Sequence, residues 1–333
     1  MPGMQPLQFT LQNSLTKWNL SAFPIAVTAV LVAVALWYLS AEWKLARRGR
    51  RWRLARTIPF LAGLVATDLA FTSSVAVFAM SYFQAHVIQH LLLMVVAPPL
   101  LALGAPSTLL LQTSSRRTKE RWLAALRSGP FAVLSHPVTV WFAYFGAMFV
   151  FFLTPAVNIA MHHMALMDLI NVFFLLSGAL YWWPMVGVDP IVHWKMSYGN
   201  RLINLLLGSA VEAFLGIAIL AASRPEASMY TLASTHSGGA LLWISTELST
   251  LGGFFPVFLE WARSEERAGA RADLQAPARA AQLTPVRPPV RSGEQKQGSA
   301  GAAGEPSSAW EAAWLAKFGQ LPGGTIAEPS ARS

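Results

Sequence analysis

The sequence predicts an all-α, polytopic membrane protein of seven transmembrane helices, with its N-terminus outside and its C-terminus in the cytoplasm. Three observations carry that expectation. The 333 residues are 54% hydrophobic and only 12% charged, whereas about a quarter of the residues of a soluble domain are charged. Apolar windows of roughly 20 residues, the length a helix needs to cross the hydrocarbon core, recur along the chain and then stop near position 260. Basic residues gather in alternate loops. Because the apolar runs are continuous rather than alternating, they fit helices and not a membrane barrel.

Taken in order, residues 1–21 form a short extracytoplasmic segment and the first span covers 22–41. Its apolar run is too long for a signal peptide, and the strong positive cluster follows it, so it is expected to be retained. That cluster is Lys44, Arg47, Arg48, Arg50, Arg51, Arg53 and Arg56. The second span, 57–80, contains Asp68. The third, 84–109, is interrupted by Pro98-Pro99, which removes backbone donors and kinks the helix. The loop after it carries Arg116, Arg117, Lys119, Arg121 and Arg127. The fourth span, 137–154, follows His136, and the fifth, 163–184, begins at His162-His163. Lys195 and Arg201 precede the sixth span, 202–222, which contains Asn204 and Glu212. The seventh, 238–260, starts near His236 and contains Glu247. The membrane domain thus covers 22–261.

The loops on the opposite side have only Lys17 and Arg224. By the positive-inside rule the basic loops are cytoplasmic. The net charge of +9 therefore sets orientation in a lipid bilayer and does not indicate a nucleic-acid partner. Residues 262–333, rich in Ala, Pro, Arg, Gly and Ser, read as a disordered cytoplasmic tail. Within it, Ser308 and Glu311 form a capping box, and Trp310, Trp314 and Phe318 fall on one face of a short amphipathic helix at 308–319.

Ionisable groups inside a bilayer are expensive and mark candidate functional positions. His86, His90 and Met94 are spaced by four and share one helical face descending from the outer surface. Two imidazoles and a thioether in line suit Cu(I) or another soft metal. The same spacing fits a hydrogen-bonded histidine pair at a helix interface, with Met94 as packing. His162 and His163, flanked by Met161, Met164 and Met167 and followed by Asp168, start the fifth span at the same depth. They point about 100° apart, so only one need face the bundle. Asp68, Glu212 and Glu247 lie near mid-membrane, with Asn171 and Asn204 as candidate partners, while His136 and His193 fall on the cytoplasmic side. Absence of cysteine excludes disulfides and thiolate chemistry. No lysine lies in a predicted span, which excludes a retinal Schiff base.

The stretch His86-Val-Ile-Gln-His-Leu-Leu-Leu-Met-Val-Val-Ala-Pro-Pro-Leu-Leu-Ala-Leu-Gly-Ala-Pro106 resembles the signature of CtaG, the membrane-embedded cytochrome c oxidase assembly factors of Gram-positive bacteria. Ser135-His136-Pro137, Ser177-Gly-Ala-Leu-Tyr-Trp-Trp-Pro184, Gly187-Val-Asp-Pro190 and Gly238-Gly-Ala-Leu-Leu-Trp243 fit the same family, and the Gly-Val-Asp-Pro form looks actinobacterial. The resemblance implies a multi-pass protein of the bacterial plasma membrane, not an enzyme, needed to make haem-copper oxidase. It further implies handling of copper, with oxidase subunits or copper chaperones as partners and His86 and His90 carried over directly. The chain departs from the family where histidines are common, showing Phe173 and Glu212, and where Asp-Gln is common, showing Ser234 and Thr235. The expected metal set is therefore His86, His90 and Met94 with His162, His163 or Glu212. Two other classes remain open: an electron-transfer protein with bis-histidine haem, for instance on His90 and His163, and a copper-tolerance permease using Asp68, Glu212 and Glu247 as an ion path.

Overall fold

A computed structural model describes residues 10, 13, 16–189, 194 and 196–283. The chain divides into two units, residues 1–273 and 274–333, and everything that follows concerns the first unless stated. The helices are α1 (Ala22–Arg47), α2 (Leu54–Phe78), α3 (Phe83–Thr113), α4 (Arg116–Leu126), α5 (Gly129–Leu134), α6 (Pro137–Leu153), α7 (Ala156–His162), α8 (Met164–Val186), α9 (Tyr198–Leu220) and α10 (Leu232–Leu283). Among the described residues there is no strand. Six of these helices are long and apolar enough to cross a membrane, α10 over Leu232–Ala272. The pair α6 and α7, bent by 79° at their junction, passes the same test only when taken together, which gives six to seven candidate spans. Each apolar window of the sequence falls on one of these helices, the fourth, 137–154, on α6 of the bent pair.

Large apolar side chains on α1, α8 and α9 face outward, including Ile25, Val30, Leu36, Leu169, Phe173, Leu176, Leu206 and Phe214. So much exposed apolar surface fits a hydrocarbon solvent rather than water. The main core lies between α3, α6, α8 and α9, around Phe83, Val87, Met94, Tyr144, Met148, Phe152, Phe174 and Leu215.

Prolines shape α3 at its centre. The helix widens to a π turn over Leu92–Val96, after which Ala97 N–H donates to Leu92 O. The next two residues are Pro98 and Pro99, so neither the i+4 nor the i+5 position supplies an N–H for the Met94 carbonyl. Trp182 of α8 satisfies it, its indole N–H donating at 3.0 Å. The approach requires Gly178, where a Cβ would lie 2.8 Å from Pro98 Cγ and 3.0 Å from Met94 O. At the far end of α3, the Asp189 carboxylate accepts from Ser107 N at 2.9 Å and Thr108 N at 2.8 Å. It caps the helical segment that begins at Pro106 after Ala105 turns through φ 48°. The family-like stretches of α3 and α8 are thus bonded to one another.

One expectation changes. α10 continues to Leu283, so residues 262–283, assigned from composition to a disordered tail, extend a helix. Their many Ala, Arg and Glu residues are good helix formers although they cannot bury a core. The amphipathic segment at 308–319 lies outside the described residues.

Candidate functional site

His86 and His90 emerge on the inner face of α3, 1% and 3% exposed, with Nε2 atoms 2.7 Å apart. Phe83, Phe151 and Phe152 surround His86, and Phe151, Phe152 and Phe174 surround His90. The proton positions follow from counting donors. Tyr230, just before α10, donates its O–H to Ala79 O at 2.7 Å and lies 3.0 Å from His86 Nδ1. Burial pushes its phenol pKa above the ordinary value, so the proton stays. A phenol has one proton, so His86 Nδ1–H donates to Tyr230 Oη and His86 Nε2 carries a lone pair. His90 Nε2–H donates to that lone pair. His90 Nδ1 is then a bare acceptor, and it is buried without a hydrogen-bond partner.

His90 borders a small cavity of about 10 Å³, together with Met94, Met148 and Glu212 and a wall of Val87, Leu91, Val95, Phe152 and Leu242. That is the size of one small probe sphere. Met94 is 1% and Met148 4% exposed. Glu212, 8% exposed, is within hydrogen-bonding reach of Thr246 and Tyr144 and also borders a neighbouring cavity with Tyr144 and Tyr181. His90, whose Nδ1 has no hydrogen-bond partner, two methionines and Glu212 therefore border one ion-sized space. The chemistry of that set fits Cu(I), which takes neutral nitrogen and soft sulfur donors.

A second cavity, about 290 Å³, reaches His86 from the side of α3's N-terminus and is bordered by residues of α1, α2, α3 and α8.

Other sequence candidates fall elsewhere. His162 and His163 are exposed, and neither borders these two cavities. The chain breaks there: α7 ends at His162, and His163, with φ −132° and ψ 89°, precedes α8. His162 Nε2 lies 3.5 Å from Ser228 Oγ. The fifth span instead sends Met164, Met167 and Asp168 to the larger cavity. Asp68 accepts from Thr28 Oγ1 at 2.5 Å and from Thr72 Oγ1 at 3.3 Å. Glu247 is exposed on α10, so the three carboxylates form no file. His236 Nε2 donates to Ala222 O. His136 Nδ1 accepts from Val138 N at the start of α6, and its ring packs on Trp194. Phe173 is exposed, while its neighbour Phe174 packs against His90. Ser234 accepts from Phe83 N and donates to Gln84 Oε1 at the entry to α3.

Among the described residues no three His, Asp or Glu side chains converge as a metal site, so any soft-metal set here must include thioethers. Met148, from a different helix, borders the same cavity as His90 and Met94 and was not singled out in the sequence. Its span carries no polar residue that marks the position.

The family described as cytochrome c oxidase caa3 assembly factor (Caa3_CtaG) matches residues 36–264. An uncharacterized protein of Mycobacterium leprae is 28% identical over 279 residues, covering 78% of this chain and 42% of its own length. Uncharacterized proteins of Mycobacterium bovis and Mycobacterium tuberculosis are each 28% identical over 285 residues, covering 80% of this chain and 42% of theirs. The chain thus spans less than half the length of these relatives. No solved structure matches it.

Proposed function

The chain belongs to the Caa3_CtaG family of cytochrome c oxidase caa3 assembly factors, and on that premise we propose that it holds copper(I) as cargo while the oxidase is made. The observation that supports this is the unpartnered, buried His90 Nδ1 on a residue bordering an ion-sized cavity with Met94, Met148 and Glu212. In this reading His90, Met94 and Met148 bind the ion and Glu212 balances its charge. His86, held by Tyr230, fixes the His90 tautomer that leaves the lone pair free. The protein acts in the bacterial plasma membrane as an accessory factor and catalyses no reaction. Oxidase subunits and copper chaperones are the partners between which the ion passes.

A membrane-buried carrier suits such a task. Inside the apolar box the ion is kept from water and from competing hard ligands. The haem alternative gains no support from the geometry, because His90 is bonded to a histidine of its own helix and shares no cavity with His163. In cells carrying His86→Ala with His90→Ala in place of the wild type, oxidase activity is expected to be lost while the protein still inserts. Unchanged oxidase activity would overturn the proposal.

A further inference from the structure

We infer that the larger cavity bordered by His86 is a second site for a soft monovalent cation, separate from the inner one, where the ion rests during exchange with a partner. The inference rests on the copper-cargo reading above.

Met164, Met167, Asp168 and Asn171 of α8 stand at i, i+3, i+4 and i+7, one face of a helix, and all four border this cavity. Met80 and His86 border it from α2's end and from α3. A methionine stripe at that spacing is ordinarily packing. Three features separate this one. The space is open, about 290 Å³, and is not filled by the thioethers. Met164 is 64% exposed, which places a soft donor at the edge of the bundle where packing does not require one. Asn171 is 3% exposed, yet its Oδ1 has no hydrogen-bond partner. A buried amide oxygen left unpaired is unfavourable, and a bound cation or its water would satisfy it.

The donor set also fixes the class of ligand. Thioethers bind Cu(I) and Ag(I) and are poor ligands for Mg²⁺, Ca²⁺ or Na⁺. Asp168 supplies one negative charge, and no lysine or arginine borders the cavity. Its volume admits an ion with part of its water shell or a donor group carried by a partner, whereas the inner cavity of about 10 Å³ admits only a stripped ion. His86 borders the larger cavity and is hydrogen-bonded to His90, which borders the smaller. One imidazole pair therefore stands between a larger station and one with room for a single ion.

The test is a titration of the detergent-purified full chain with Ag(I), a redox-stable probe, in chloride-free buffer with excess Mg²⁺. Three proteins are compared: wild type, Met80→Leu/Met164→Leu/Met167→Leu, and His90→Phe/Met148→Leu. Leucine conserves methionine's volume, and near-ultraviolet circular dichroism checks that each variant is folded. The expected result is two Ag(I) per wild-type chain and one in each variant. One ion in the wild type, lost only in the His90→Phe/Met148→Leu variant, would overturn the second site and leave the copper reading standing. One ion lost only in the methionine variant would support the outer site and overturn the inner one. No Ag(I) bound to any protein, or displacement by Mg²⁺, would overturn the inference.

Discussion

The indole N–H of Trp182 donates to the carbonyl of Met94 at 3.0 Å, and this bond fixes the depth at which Met94 enters the inner cavity. Two prolines deprive that carbonyl of any donor within its own helix, so α8 supplies one. Trp182→Phe keeps the ring but leaves a buried carbonyl unpaired. The variant is expected to lose about 1–3 kcal/mol of stability, read as a lower midpoint of thermal unfolding in detergent, together with weaker Cu(I) binding.

Gly178 makes the same contact possible. A Cβ there meets Pro98 Cγ and the Met94 backbone, neither of which moves freely. Gly178→Val is expected to cost about 1–3 kcal/mol by overpacking. A midpoint equal to wild type would show that α3 and α8 can separate without penalty.

Asp189 joins the end of α8 to the last segment of α3 by accepting two backbone N–H groups and the Thr108 hydroxyl. Asp189→Ala is expected to destabilise by about 0.5–2 kcal/mol, the usual worth of a helix N-cap. Amide exchange at Ser107 and Thr108 should accelerate more than exchange along α9.

Burial pushes the Glu226 carboxyl, in the loop between α9 and α10, from its ordinary 4.5 up to about 7. The fold therefore binds a proton that the unfolded chain releases. The stability this contributes is complete below pH 4.5 and is lost as pH rises through 7. Glu226→Gln is expected to flatten the pH dependence of unfolding across that window. An unchanged slope in the variant would assign the dependence to another group.

How much of this was legible in the sequence differs by feature, for physical reasons. The spans were legible because a bilayer demands long apolar runs, and the fourth such run, 137–154, corresponds to α6 while α7 lies between two runs. The meeting of His86 with His90 follows from a spacing of four. The exposure of His162 and His163 does not, because a helix ends at His162 and the next begins only after His163, a break that the apolar run does not mark. Met148 and Tyr230 reach the histidines from α6 and from a loop, each more than fifty residues further along the chain. Their role depends on tertiary packing. Pro98-Pro99 was read as a kink, but the bond that repairs it comes from Trp182, and only the assembled helices pair the two. Residues 262–283 were misread because a composition unable to build a core is still able to continue a helix.

The most direct test of the central claim is the copper content of detergent-purified protein loaded anaerobically with Cu(I), wild type beside His86→Ala/His90→Ala. The account predicts bound copper in the wild type and a lower content in the folded double variant, with the inner site lost. Wild-type protein that retains no copper, or a double variant that retains as much as wild type, would contradict it.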